Sequence, residues 1–138
     1  MPNADLLRAW VEEMRASATR LDELLRRGLP ALESDADAYA IAEHHLRRML
    51  EAMLDIMRHL AAKEGWGTPR TYYEAASLFV ARSGTPVAAE FARLAVQMRN
   101  RLVHRYWDVT PAEMFGFLTA RLPDLRRLAE HLVTRYSL

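Results

Sequence analysis

The sequence predicts an all-α protein, an up-down helical bundle of four long helices plus one short helix. Three observations point that way. Apolar residues recur at alternating spacings of three and four along most of the chain, which draws one stripe on a helix. Ala, Leu, Arg and Glu are abundant, against only five glycines and six prolines. No segment alternates apolar and polar residues with period two, and no Asn-Gly or Asp-Gly hairpin turn occurs.

Each element follows from local signals. The first helix is expected from Ala4 to Arg27, with Asn3 as N-cap and Gly28 just past its end. Its inner stripe is Leu7, Val11, Met14, Ala18, Leu21 and Leu25. Pro30 and Glu33-Ser34-Asp35 read as a turn. The second helix is expected from Asp35 to Glu64, capped by Ser34 and stopped by Gly65. Leu46, Leu50, Met53, Met57 and Leu60 form one row, and Ala42, Met49 and Ile56 form another. A helix apolar on two sides needs two partners. One is the bundle core; the second is either more of the same bundle or another subunit, a use that Met-rich surfaces serve.

Thr71 with Glu74 is a capping box that opens a short helix, Tyr72 to Ala81. Thr85-Pro86 reads as N-cap and first-turn proline of the next helix, which turns Phe91, Ala95, Met98 and Leu102 inward. Thr110-Pro111-Ala112-Glu113 combines both start signals and opens the last helix, with Leu118, Leu122, Leu125, Ala129 and Leu132 inside. Pro123 should kink it.

At 138 residues, the chain is read as one domain, 1–138, long enough to bury on the order of 70% of its unfolded surface. The net charge is +1, so attraction to a polyanion must come from a local patch. The absence of cysteine excludes disulfides, thiolate catalysis and cysteine-based zinc sites. Met1 to Asp5 lacks a basic region followed by an apolar run, and no stretch of about 18 apolar residues occurs. A cytoplasmic location with no membrane association is expected. No glycine-rich phosphate loop, Ser-His-Asp pattern or carboxylate dyad is visible, and no cofactor is expected.

The most informative stretch is Arg99 to Tyr106, which reads R-N-x-x-V-H-x-Y. Arg93, Arg99, Arg101 and Arg105 occur there with no acid between Glu90 and Asp108. At about 100° per residue, Arg99 and Tyr106 differ by only about 20° in phase and are expected on one face of the helix, two turns apart, and Asn100 and His104 form an i, i+4 pair on the adjoining face. The planar fork of an arginine can hold two phosphate oxygens, and imidazole can exchange a proton near neutral pH. Cleavage of RNA by its own 2′-hydroxyl asks for little more: a base, an acid and a cation beside the charged phosphorane. Arg99 suits the cation and His104 the proton transfer, with Asn100 in support. One motif offers one histidine, so a two-histidine mechanism needs the motif of a second chain across a twofold axis. The same residues also fit a solvated helix end, and chemistry alone does not choose.

The stretch resembles the R-x4-H-x-Y signature of the HEPN superfamily, and of its HepT-like toxin branch in particular. Pro69-Arg70-Thr71-Tyr72-Tyr73-Glu74-Ala75 resembles that family's segment before the motif helix, and Tyr106-Trp107-Asp108-Val109 its continuation. The resemblance implies a metal-independent endoribonuclease toxin acting as a homodimer, with motif helices meeting at a shared cleft. Arg99 and His104 take the two catalytic positions. Tyr106 takes the position of the tyrosine to which an MNT-type nucleotidyltransferase antitoxin attaches AMP. AMP there would bring negative phosphates beside Arg99. Thr110 stands where relatives often carry an acid. The alternative is a non-catalytic, nucleotide- or substrate-binding helical partner of a nucleotidyltransferase; a third reading is a purely structural dimerisation domain.

Other residues weigh less. His44 and His45 beside Glu43 invite a metal reading, but neighbouring residues on a helix point about 100° apart and no H-E-x-x-H occurs, so no metal site is expected. Arg47 and Arg48, with Arg93, Arg101 and Arg105, are weak candidates for an RNA-binding surface. His59 and His131 read as structural or exposed. Trp10, Trp66 and Trp107 read as core or rim aromatics; Trp107 is expected to pack on the following turn, with stacking on a base as the other option.

Overall fold

A computed structural model describes residues 2–138 of the chain. The described residues form six α-helices and one 3-10 turn, with no strand. Asn3 opens α1 (Ala4–Arg27) by accepting the Leu6 backbone N–H through its side-chain oxygen at 3.1 Å. Gly28 ends it at φ +85°, a left-handed conformation that suits glycine. The expected turn is itself a short helix, α2 (Leu29–Ser34), with Pro30 in its first turn. Proline is pre-set for a helix start, and Leu32 is buried, which gives the turn a reason to coil.

The N-cap of α3 (Ala36–Lys63) is Asp35, not Ser34: its carboxylate accepts from the backbone N–H groups of Asp37 and Ala38. The Ser34 hydroxyl is occupied instead by the Pro30 carbonyl, at 2.8 Å. α3 lies at the centre, with α1 on one side and α4 (Tyr72–Arg82) and α5 (Ala89–His104) on the other; α6 (Pro111–Tyr136) packs outside, on α1 and α2. Both apolar rows of α3 are covered within one chain, since Ala42, Leu46, Met49, Leu50, Met53, Ile56 and Met57 are each at most 1% exposed. The second row is therefore explained by the central place of α3 and carries no argument for a second subunit.

α4 begins at Thr71, whose hydroxyl accepts the Glu74 N–H at 3.1 Å. The start expected for α5 at Thr85-Pro86 is displaced to Ala89. The Thr85 hydroxyl accepts the Val87 N–H, the Ser83 hydroxyl accepts the Thr85 N–H, and Val87 is buried. These short bonds give the backbone an alternative to the helix. α6 begins as expected, with Thr110 accepting the Glu113 N–H at 3.1 Å. It continues through Pro123, which is exposed, as is Thr119, whose carbonyl the proline leaves without an intrahelical donor. No helix among the described residues is long and apolar enough to cross a membrane.

Candidate active site

The motif residues lie at the end of α5. Met98 and Leu102 are buried and fix the helix on the core, while His104 is its last residue and is exposed. The helix stops there, so the phase argument that put Tyr106 on the face of Arg99 does not apply. Tyr106 belongs to the 3-10 turn Tyr106–Asp108. Arg101 ties down the segment after the stop. Its guanidinium donates to the Asp108 carbonyl at 2.8 Å, pairs with the Asp108 carboxylate at 3.1 Å and pairs with Glu113 at 2.6 Å. The Tyr39 hydroxyl, from α3, donates to the Val109 carbonyl. These bonds pin the segment that carries Tyr106 to three helices.

Arg99 has a different setting. Its side chain is only 19% exposed, against 53% for Arg93 and 62% for Arg105. Its Nη1 donates to the Asn100 side-chain oxygen at 3.0 Å. Its Nη2 lies 3.8 Å from the Glu51 carboxylate of α3. Its guanidinium sits over the ring of Tyr72 from α4, 4.9 Å from the centroid, and its Nε is buried with no partner. Asn100 thus engages Arg99 rather than His104. Five residues along a helix separate Arg99 and His104 by about 140°.

Glu51 also pairs with Arg47, at 3.5 Å. Arg47 and Glu51 line a shallow cleft of about 330 Å³ with Glu43, Leu102, Val103 and Tyr106. Tyr106 therefore shares this cleft between α3 and α5 with Glu51, the carboxylate 3.8 Å from Arg99, while Arg99 itself does not line it. Burial pushes the Glu43 carboxyl above the usual carboxylate range, against the pull of Arg47. Tyr106 and Trp107 are 54% and 71% exposed and meet edge to face at 5.5 Å. Trp107 thus projects to solvent instead of packing on the following turn.

The cationic cluster read from the sequence is largely neutralised. Arg93 pairs with Glu90, Arg101 with Asp108 and Glu113, Arg105 with Asp108, Arg47 with Glu51 and Arg48 with Glu13. Of these acids, Glu13 and Glu51 are distant from the motif in sequence, while Glu90, Asp108 and Glu113 flank it. His44 and His45 stand edge to face, and His45 lies 3.4 Å from the hydroxyl of the buried Ser17. Burial lowers the His45 pKa.

Glu51, Tyr72 and Asp55 are absent from the sequence reading of the site. A signal for two of them exists. Glu43, Arg47, Glu51 and Asp55 recur at a spacing of four along one side of α3, which draws a polar stripe.

The comparisons with known proteins bear on this constellation. The family described as Ribonuclease HepT-like matches residues 14–132, a span that includes the motif and the helices around it. The chain belongs to the HepT-like ribonuclease family. A HepT-like relative from Aphanizomenon flos-aquae (strain 2012/KM1/D3), named tRNA nuclease HepT, is 29% identical over 106 residues, which is 73% of this chain and 72% of that protein. Among solved structures, one described as a toxin-antitoxin with AMP-PNP superposes with a TM-score of 0.82 at 17% identity, covering 94% of this chain and 99% of the other. Another, the tri-AMPylated Shewanella oneidensis HEPN toxin in complex with MNT antitoxin, gives 0.79 at 16% identity, with 94% and 98% covered. At these identities the structural likeness is one of fold.

Proposed function

We propose that this HepT-like chain, a single HEPN domain over 1–138, is a cytoplasmic endoribonuclease toxin. It acts as a homodimer and cuts RNA without a metal. The observation that carries the reading is the seating of Arg99: alone among the arginines of its helix, it is largely enclosed with no carboxylate within hydrogen-bond distance, the Glu51 carboxylate lying 3.8 Å away. In the reaction, the RNA 2′-oxygen attacks phosphorus and forms a 2′,3′-cyclic phosphate. The bond to the 5′-oxygen breaks, the 2′-hydroxyl proton passes to a base, and a proton reaches the leaving 5′-oxygen. Arg99 stabilises the charge on the phosphorane, His104 transfers protons, and Asn100 orients the guanidinium. The second proton transfer belongs to the His104 of a second copy. Transfer RNA is the first substrate to try, since the Aphanizomenon relative is named for it.

Tyr106 is the point of control. Its exposed phenol stands over the cleft that Arg47 and Glu51 line. An MNT-type nucleotidyltransferase that attaches AMP there would place phosphate charge against the cations the substrate needs. The test is growth on expression. Arrest should require Arg99 and His104, and co-expression of an MNT-type nucleotidyltransferase should relieve it, with AMP found on Tyr106 by mass spectrometry. Tyr106→Phe should remain toxic in the presence of the nucleotidyltransferase. Arrest by the Arg99→Ala protein would overturn the reading.

A further inference from the structure

Arginine is a poor electrostatic catalyst if it must be ordered when the substrate arrives, because its long side chain loses rotamer entropy on being fixed. Hydrogen bonds donated to carboxylates could order it, but they would occupy the in-plane donors that a phosphate needs. A contact on the face of the guanidinium does not. Arg99 has an aromatic contact in place of a close carboxylate. Its guanidinium carbon sits over the Tyr72 ring, 4.9 Å from the centroid, Nη1 alone has a hydrogen bond, and Glu51 is beyond hydrogen-bond distance of Nη2.

The ring is itself held. Its hydroxyl donates to Asp55 at 2.9 Å, Asp55 pairs with Arg58 at 3.0 Å, and Arg58 also sits over the ring, 5.1 Å from the centroid. Burial and Asp55 together push the Tyr72 phenol up, which keeps it a donor. Thr71, the cap of α4, fixes the residue beside it.

We infer that Tyr72, anchored by Asp55, is a positioning residue that pre-orders the Arg99 guanidinium for the substrate phosphate while leaving its Nη2 donors free. The inference rests on Arg99 acting in catalysis. Tyr72 need not touch RNA.

Chemical rescue separates the two claims. Arg99→Ala protein is assayed for RNA cleavage with added guanidinium ion, alone and combined with Tyr72→Leu or Tyr72→Phe. Guanidinium should restore part of the rate to Arg99→Ala. The half-saturating concentration should rise about tenfold with Tyr72→Leu and about threefold or less with Tyr72→Phe, which keeps the ring. Full activity of Arg99→Ala without guanidinium would overturn the catalytic reading itself. Equal rescue with and without the ring would overturn only the role of Tyr72. A second measurement decides the matter should guanidinium fail to rescue. In protein that retains Arg99, Tyr72→Leu should lower kcat about tenfold at nearly unchanged KM, and Tyr72→Phe about two- to threefold. Equal kcat losses in the two variants, or losses matching the fraction of protein unfolded by circular dichroism, would overturn it.

Discussion

Arg99 differs from its neighbours in what it faces, and that difference yields the sharpest expectations. Glu51 shares its charge between Arg47 and Arg99, so a phosphate entering the cleft must compete with it. Glu51→Gln should lower the inhibition constant for inorganic phosphate about two- to fivefold, the equivalent of about 0.5–1 kcal/mol for an ion pair of this exposure. An unchanged or weaker inhibition would show that Glu51 does not hold these cations. His59 offers a test by pH. Burial, with Lys63 nearby, holds its imidazole below the ordinary value, and its Nε2 accepts the Asn3 N–H at 3.0 Å. The unfolded chain binds that proton more readily, so stability from this group is whole above about pH 6.5 and declines below it. His45 is lowered too and acts in the same direction. Between about pH 7.5 and 5.5 the wild type should lose more Tm than His59→Gln, whose amide keeps an acceptor for Asn3. Equal losses would remove His59 from the account. The sequence displayed Arg99 and His104 plainly, because their chemistry is legible in residue type. It hid Tyr72 and Glu51, because each meets Arg99 only through tertiary packing.

Helix starts were legible where the cap is local and unopposed. Asn3, Thr71 and Thr110 each accept a backbone N–H two or three residues inside their helix. Thr85 carries the same signal and fails, because bonds among Ser83, Thr85 and Val87 satisfy that backbone first. The end of α5 was illegible for a different reason. The turn that follows it is held by Arg101 reaching Asp108 and Glu113, seven and twelve residues away. Thr71→Ala should destabilise the chain by about 1 kcal/mol in urea unfolding, the usual worth of an N-cap. It should also lower the cleavage rate by loosening Tyr72. An unchanged free energy would mean that α4 is held by packing alone. Arg101→Ala should leave three partners of the turn without their cation and so free Tyr106. Limited proteolysis after Arg105 should then accelerate in the variant, whereas equal rates would show that Tyr39 suffices.

The fold class could be read at the level of the whole chain, since the stripes of α1, α3, α5 and α6 turn inward as their spacing requires. The place of α3 could not, because periodicity reports how many faces are apolar and not what covers them. That leaves the proposed dimer to rest on the chemistry: one motif imidazole per chain, that of His104, for two proton transfers. The active species should sediment at twice the chain mass, and specific activity should fall on dilution through the dissociation range. The central claim is that Arg99 and His104 together cut RNA by 2′-hydroxyl attack with no metal. It is tested most directly by incubating purified wild-type, Arg99→Ala and His104→Ala proteins with transfer RNA in excess chelator and mapping the ends. The account predicts 2′,3′-cyclic phosphate and 5′-hydroxyl termini from the wild type, and rates lower by about a hundredfold or more in both variants. Cleavage by His104→Ala at the wild-type rate, or wild-type activity abolished by chelator, would contradict it.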